Sequence, residues 1–257
     1  MVRAAFAFVV LILSQTLAWA DDPYYIGPAD IDLTKIIAPA PAPDSAITRE
    51  DVRVLLDLQA VRTPELVAMV NADVDRSPTR FSEAAGVELS PEKTPLAMAF
   101  LSRVSADATT IILSAKAHWG RIRPYAAFSE VKLVVPPEAT FSYPSGHSAF
   151  GIEMAILLAQ MLPERAQILF DRGIQFGFER ALAGVHYPSD VEAGRLSGTA
   201  IIAVMMRSPK FQSDFAAARA EIRALAGLAP LGSADVPHVT GPSLVPAMPA
   251  PTPSPAR

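Results

Sequence analysis

Between residues 48 and 225, apolar side chains recur at the three-and-four spacing of a helix and almost nowhere at the two-residue spacing of a sheet. The longest pattern runs Leu96, Phe100, Val104, Ile111, Ile112 and Ala115, and it stops before Gly120 and Pro124. An amphipathic helix has to bury its apolar stripe. With no sheet to cover it, only other helices can do so. The expected fold is therefore all-α, a single-domain helical bundle. Thr48 reads as the N-cap of a first helix that carries Val52, Leu55, Leu56 and Leu58 on its apolar side. A second helix is expected from Pro64 to about Asp73, since proline suits a first helical turn. Others are expected after His147, around Glu164–Leu182, after Pro188 and from Gln212 to Leu225. Val131–Val135 is the one strand candidate, closed by Pro136-Pro137.

A chain of 257 residues that is 51% hydrophobic can bury one sizeable core. Its net charge of −4 argues against a nucleic-acid partner or an anionic membrane surface, which would both favour a basic excess. It contains no cysteine, which removes disulfides, thiolate nucleophiles and thiolate metal sites. Arg3, the apolar run Ala4–Leu13 and Ala18-Trp19-Ala20 compose a signal peptide over residues 1–20, cut near Ala20. A retained anchor is the alternative, but the run is short for a span. The expected location is periplasmic or secreted. Residues 21–47 read as a Pro-rich arm lying over the body, 48–228 as the helical domain, and 229–257 as a disordered Pro-rich tail. Phe150–Leu162 and Gly198–Met206 are apolar, but Glu153 and Gln160 interrupt the first and the second is short. Both read as buried core helices, and no stable membrane insertion is expected after residue 20.

Three short stretches carry the chemistry: Lys116-x6-Arg123-Pro124, then Pro144-Ser145-Gly146-His147, then Arg180-x5-His186-x3-Asp190. Asp190 can orient the ring of His186 and raise its basicity, which leaves the other ring nitrogen free to attack. Ser145 and Gly146 at a helix start aim backbone N–H groups at an anion, and Ser145 adds a hydroxyl. His147, when protonated, can serve as general acid. Arg123 and Arg180 offer paired donors and Lys116 a point charge. Spacing and the following proline favour Arg123 over Arg121. Each stretch alone also fits a bland explanation, whether a first-turn acid, a capped helix or solvated surface charge. Together they suit a doubly charged oxyanion attacked on one side and protonated on the other. His118 and Trp119 read equally well as pocket walls or as helix packing, and His238 lies in the tail.

This order of motifs is similar to the signature of the type 2 phosphatidic acid phosphatase superfamily, whose fold is shared with vanadium haloperoxidases. Within it, the chain resembles the secreted bacterial class A non-specific acid phosphatases. The leader, the Pro-rich arm, Glu92-Lys93-Thr94-Pro95-Leu96 and His186-Tyr187-Pro188-Ser189-Asp190-Val191 carry the likeness, over roughly residues 40–226. The resemblance implies a secreted phosphomonoesterase acting through a phosphohistidine, with no metal or other cofactor and with phosphotransferase activity as a secondary trait. His186 would be the nucleophile, Asp190 its orienting partner and His147 the general acid. Lys116, Arg123, Ser145, Gly146 and Arg180 would surround the phosphate. Small-molecule phosphate monoesters are the expected partners, with no nucleic acid, and homo-oligomers remain open. One departure is Glu179, where the family usually has serine; it could compete for Arg180 or point away along its helix.

Two other readings use the same residues. A vanadium-dependent haloperoxidase would hold vanadate where phosphate sits, although the chain is short for one. A non-catalytic phosphate-binding protein would keep the cage without turnover.

Overall fold

The computed structural model describes residues 22–232. The expected signal peptide and its expected cleavage site, His238 and most of the Pro-rich tail lie outside the described residues. Those described form helices α1 (Ala46–Ala60), α2 (Pro64–Ala72), α3 (Ser82–Ala85), α4 (Pro95–Trp119), α5 (Pro124–Ala127), α6 (Gly146–Met161), α7 (Ala166–Leu182), α8 (Pro188–Met205) and α9 (Pro209–Leu225). No strand occurs among them. Proline stands in the first turn of α2, α4, α5, α8 and α9, where the N–H it lacks has no helical partner to lose. Thr63, Ser145 and Ser208 cap α2, α6 and α9 through their side-chain oxygens.

Two expectations need correcting. Ser45, not Thr48, caps α1: its hydroxyl accepts from the Thr48 N–H at 3.1 Å, and Thr48 turns its own hydroxyl to the Ala42 carbonyl at 2.8 Å. With two hydroxyl residues three apart, the earlier one takes the cap and the later one supplies the N–H it needs. Val131–Val135 is not a strand. No second strand stands beside it, so its pairing is reduced to Val134 N–H donating to the Ala183 carbonyl at 3.3 Å. Val131 and Val135 are buried instead against the end of α7, beside Ala181, Leu182 and Val185.

The centre of the bundle is α6, buried on almost every side. It is flanked by α7, α8 and α4, and α9 closes over α4. Side chains alone do not explain so close an approach. A methyl added at Gly151 would overlap the Gly173 carbonyl oxygen, and one at Gly173 would overlap that of Gly151, so α6 and α7 meet backbone to backbone. Gly194 of α8 meets the Ser145 carbonyl in the same way, which sets α8 against the start of α6.

The arm before α1 is more than a cover. The Asp107 carboxylate of α4 accepts from the N–H groups of Tyr24, Tyr25 and Ile26 at 3.0, 2.7 and 3.3 Å. Ile26, Ile31 and Leu33 then enter the main core. One stretch among the described residues, Pro95–Ala127, is long and apolar enough to cross a membrane by length and composition. Its apolar stripe is occupied within the bundle: Phe100, Leu101, Val104, Ile111 and Ile112 are all buried in the core it shares with α6 and α9. A core helix accounts for this hydropathy.

Because Gly194 has no room for a methyl, Gly194→Ala is expected to lower the unfolding free energy by about 1–3 kcal/mol in urea titrations, through overpacking against Ser145.

Candidate active site

The three motifs converge at one end of the bundle. Lys116 comes from the last turn of α4 and Arg123 from the residue before α5. Ser145, Gly146 and His147 start α6, Arg180 lies in the last turn of α7, and His186 and Asp190 flank the start of α8.

Asp190 organises the nucleophile's side. Pro188 opens α8, and Asp190 two residues later returns its carboxylate to the Tyr187 N–H at 3.0 Å. The same oxygen faces Nδ1 of His186 at 3.2 Å and accepts from the Ser142 hydroxyl at 2.5 Å. Nε2 of His186 stands 3.0 Å from a guanidinium nitrogen of Arg123. Arginine has no acceptor, so Nε2 carries the lone pair and Nδ1 the proton, donated to Asp190. Burial, and then the charges of Lys116 and Arg123, hold the ring well below the usual histidine range. It is a neutral imidazole with its free nitrogen turned into a cationic cage.

Arg121, set aside in favour of Arg123, lines the cavity no more than Arg123 does. It is buried and donates to Asp190 Oδ1 at 2.6 Å, Ser189 Oγ at 2.7 Å and Asp51 Oδ2 at 3.1 Å, with its guanidinium 3.9 Å from the centre of the Tyr187 ring. Asp51 of α1 in turn accepts from the backbone N–H and hydroxyl of Ser189. This network locks α1, α8 and the segment before α5 around the carboxylate that orients His186.

The cage itself is Lys116, Arg123 and Arg180, all buried. Lys116 Nζ donates to the carbonyls of Phe141 and Ser142 at 2.6 and 2.9 Å. Burial and the neighbouring Arg123 charge bring its pKa down to about 7. Arg123 also donates to the carbonyls of Thr140 and Val185 at 2.7 and 3.2 Å. Arg180 gives one nitrogen to Glu138, while its Nε and other terminal nitrogen are buried without a hydrogen bond in the protein. Buried donors of this kind are costly to leave unpaired, and a ligand oxygen would satisfy them.

Glu138 is a site residue that the motifs did not mark. Its two carboxylate oxygens bridge Arg123 and Arg180, each at 2.6 Å. Burial alone would raise its pKa, but the charges of the two arginines it bridges hold it at about 2. It is the anion that the cage grips in the free protein. No local sequence signal identifies it, because it follows a proline pair in an irregular segment and reaches the cage only through the fold.

His147 donates from Nε2 to the Val74 carbonyl at 2.9 Å, since a carbonyl can only accept. Nδ1 is then the bare nitrogen, and it lies 4.0 Å from Glu138. Burial and the charge of Arg180 lower the pKa of His147 to about 3. Ser145 is fully buried, with its hydroxyl accepting from the Ser148 N–H at 3.4 Å. Gly146 lines the cavity, which has a volume of about 720 Å³ and is also walled by Ile112, Leu113, Pro136 and Pro137. His118 is exposed and outside the cavity, and Trp119 packs edge-on against the Tyr143 ring at 4.9 Å. For both, helix packing is the better description.

Glu179 points away from the cage. It is buried toward Arg172, 3.7 Å away, and toward Asp73, which itself takes Arg80 at 2.6 Å and Arg172 at 2.6 Å. Burial and then the Asp73 carboxylate push its pKa up to about 8, so it keeps its proton below that pH and does not compete as an anion for Arg180.

Residues 95–214 match the PAP2 superfamily profile. A non-specific acid phosphatase of Salmonella typhimurium is 29% identical over 226 residues, covering 84% of this chain and 90% of its own. One from Providencia stuartii is 28% identical, covering 79% and 86%. Among solved structures, a bacterial vanadium-dependent iodoperoxidase superposes with a TM-score of 0.53 at 17% identity, covering 66% of this chain and 52% of its own, a likeness of fold. The profile spans all three motifs and the helices that carry them, α4 to α8. Residues 95–214 of this chain are a PAP2 superfamily domain.

Proposed function

We propose that this chain is an exported acid phosphatase that hydrolyses phosphate monoesters through a phosphohistidine, without a metal. The observation that carries this reading is the unprotonated Nε2 of His186, fixed by Asp190 behind it and facing buried Arg123, which Glu138 bridges to Arg180. The acid phosphatases of Salmonella typhimurium and Providencia stuartii, alike over most of the chain, support the substrate class. The leader at residues 1–20 supports export.

In the first step Nε2 of His186 attacks phosphorus as the bond to the ester oxygen breaks, and Nδ1 of His147 delivers a proton to that oxygen. In the second, water gives its proton back to His147 Nδ1 while its oxygen bonds to phosphorus, and the P–N bond breaks to release phosphate and free His186. Arg123, Arg180 and Lys116 hold the equatorial oxygens, where charge stabilisation is worth most. An alcohol taking the place of water in the second step would give phosphotransfer.

Substrate has to displace Glu138 from the two arginines. A phosphoryl group offers more oxygens to the same donors, and it becomes a dianion once its proton has passed to His147, so the exchange favours it. The proton for the leaving group also needs a source. His147, with its pKa near 3, is neutral in the free enzyme at moderately acid pH. The ester monoanion can bring that proton in with it.

Turnover of p-nitrophenyl phosphate in EDTA, suppressed by orthovanadate, is the expected primary result, and His186→Ala should lower it by roughly a thousandfold or more. An H186A protein that keeps most of its activity would remove the assignment. Glu138→Gln removes the competing charge, so inhibition by inorganic phosphate should tighten by roughly tenfold. Because a pKa near 2 keeps Glu138 ionised at the pH of the assay, that gain should persist from acid to neutral pH. If the monoanion supplies the proton, kcat/KM should fall above the second pKa of the ester, about 6. The break should then move with the ester's pKa when the substrate is changed.

A further inference from the structure

The cavity extends past the phosphate cage toward His147, and that end carries a cation no motif includes. Arg76, in the segment after α2, lines the wall with Asp75 and Val74, opposite Ser105, Thr109 and Leu113 of α4. One of its terminal nitrogens lies 3.4 Å from where a Cβ on Gly146 would stand, so the guanidinium hangs over the start of α6. Two residues earlier, Val74 holds Nε2 of His147 at 2.9 Å. Arg76 therefore sits on the general acid's side of the cage, where a leaving group departs.

Among the described residues Arg76 has no hydrogen bond and no ion pair. The buried carboxyl whose charge state it influences is Glu153, about two turns further along α6. Burial pushes Glu153 up to about 8, so it stays protonated in the acid-to-neutral range and gives Arg76 no counter-charge. Asp75 is exposed at the rim, Glu138 is taken by Arg123 and Arg180, and Lys116 and His147 feel Arg76 as a like charge. An arginine beside an open cavity, unpaired and among other cations, is an anion site in waiting.

We propose that Arg76 binds the leaving group, and that this enzyme favours phosphate esters whose leaving group carries a second oxyanion near the ester oxygen, a carboxylate or another phosphate. The inference rests on the phosphatase reading of the site. The cavity wall suits such a substrate: Ser105 can donate its hydroxyl, whereas that of Thr109 is given to the Ser105 carbonyl at 2.7 Å, and Ile112 and Leu113 cover a short carbon frame.

The test compares kcat/KM for carboxymethyl phosphate and inorganic diphosphate with that for 2-hydroxyethyl phosphate, which has a similar size and an uncharged leaving group. The native enzyme should prefer the anionic pair. In Arg76→Gln that preference should drop by roughly tenfold or more, and Arg76→Lys should restore part of it. A fall confined to diphosphate or to carboxymethyl phosphate would identify which oxyanion the site takes. An unchanged ratio, or equal losses on all three substrates, would overturn the proposal; equal losses would make Arg76 one more ligand of the transferred phosphoryl group. No turnover of any substrate by the native enzyme would remove the phosphatase reading and this inference together, whereas turnover with an unaltered ratio removes the inference alone.

Discussion

The Asp190 carboxylate is the point on which the site's geometry depends. Fully buried, it accepts from the Tyr187 backbone, the Ser142 hydroxyl and Arg121, and it faces His186. An isolated charge at that depth would cost several kcal/mol. Arg121 supplies the opposite charge, and Asp51 balances Arg121 from the other side. One carboxylate thus caps α8, fixes the tautomer of His186 and ties the start of α8 to α1. Removing any member of the chain would leave the next one buried and unpaired.

Against that anionic frame stands a cluster of three buried cations, which by themselves repel. Backbone carbonyls of the segment between α5 and α6 receive Lys116 and Arg123, and Glu138 takes the remaining charge. The cage is therefore stable without substrate, yet it retains unpaired donors on Arg180. A bound dianion both relieves repulsion and satisfies those donors. Burial, with the same field added to it, keeps His186 and His147 neutral, which suits a nucleophile directly and a general acid only once an anion has arrived.

Glu179 shows why a departure from a familiar pattern has to be judged in three dimensions. As a neighbour of Arg180 in the chain it could have neutralised the cage. On a helix, however, adjacent residues point about 100° apart. Glu179 turns to Asp73 and Arg172 behind the site while Arg180 faces forward. The local chemistry is a carboxyl pair clamped by arginines, separate from the phosphate donors.

Much was legible in the sequence, because it depends on short-range rules. The helical period located α2, α4 and α7 and, more coarsely, α1, α6, α8 and α9. Proline and hydroxyl residues marked their starts, although Ser45 rather than Thr48 holds the first cap. The three motifs named residues that do converge, since each spans no more than the end of one helix and the start of the next. What sequence could not supply were partners brought in from elsewhere: Glu138 on the arginines, Arg121 and Asp51 behind Asp190, and Arg76 over Gly146. These pairs lie far apart along the chain, and their meeting depends on how closely α7 and α8 can approach α6, which Gly151, Gly173 and Gly194 permit. By itself the sequence determined a helical chain with a phosphate-type inventory of side chains. Only the tertiary structure decided which charge answers which, because burial and contact across the bundle, rather than spacing along it, set those energies.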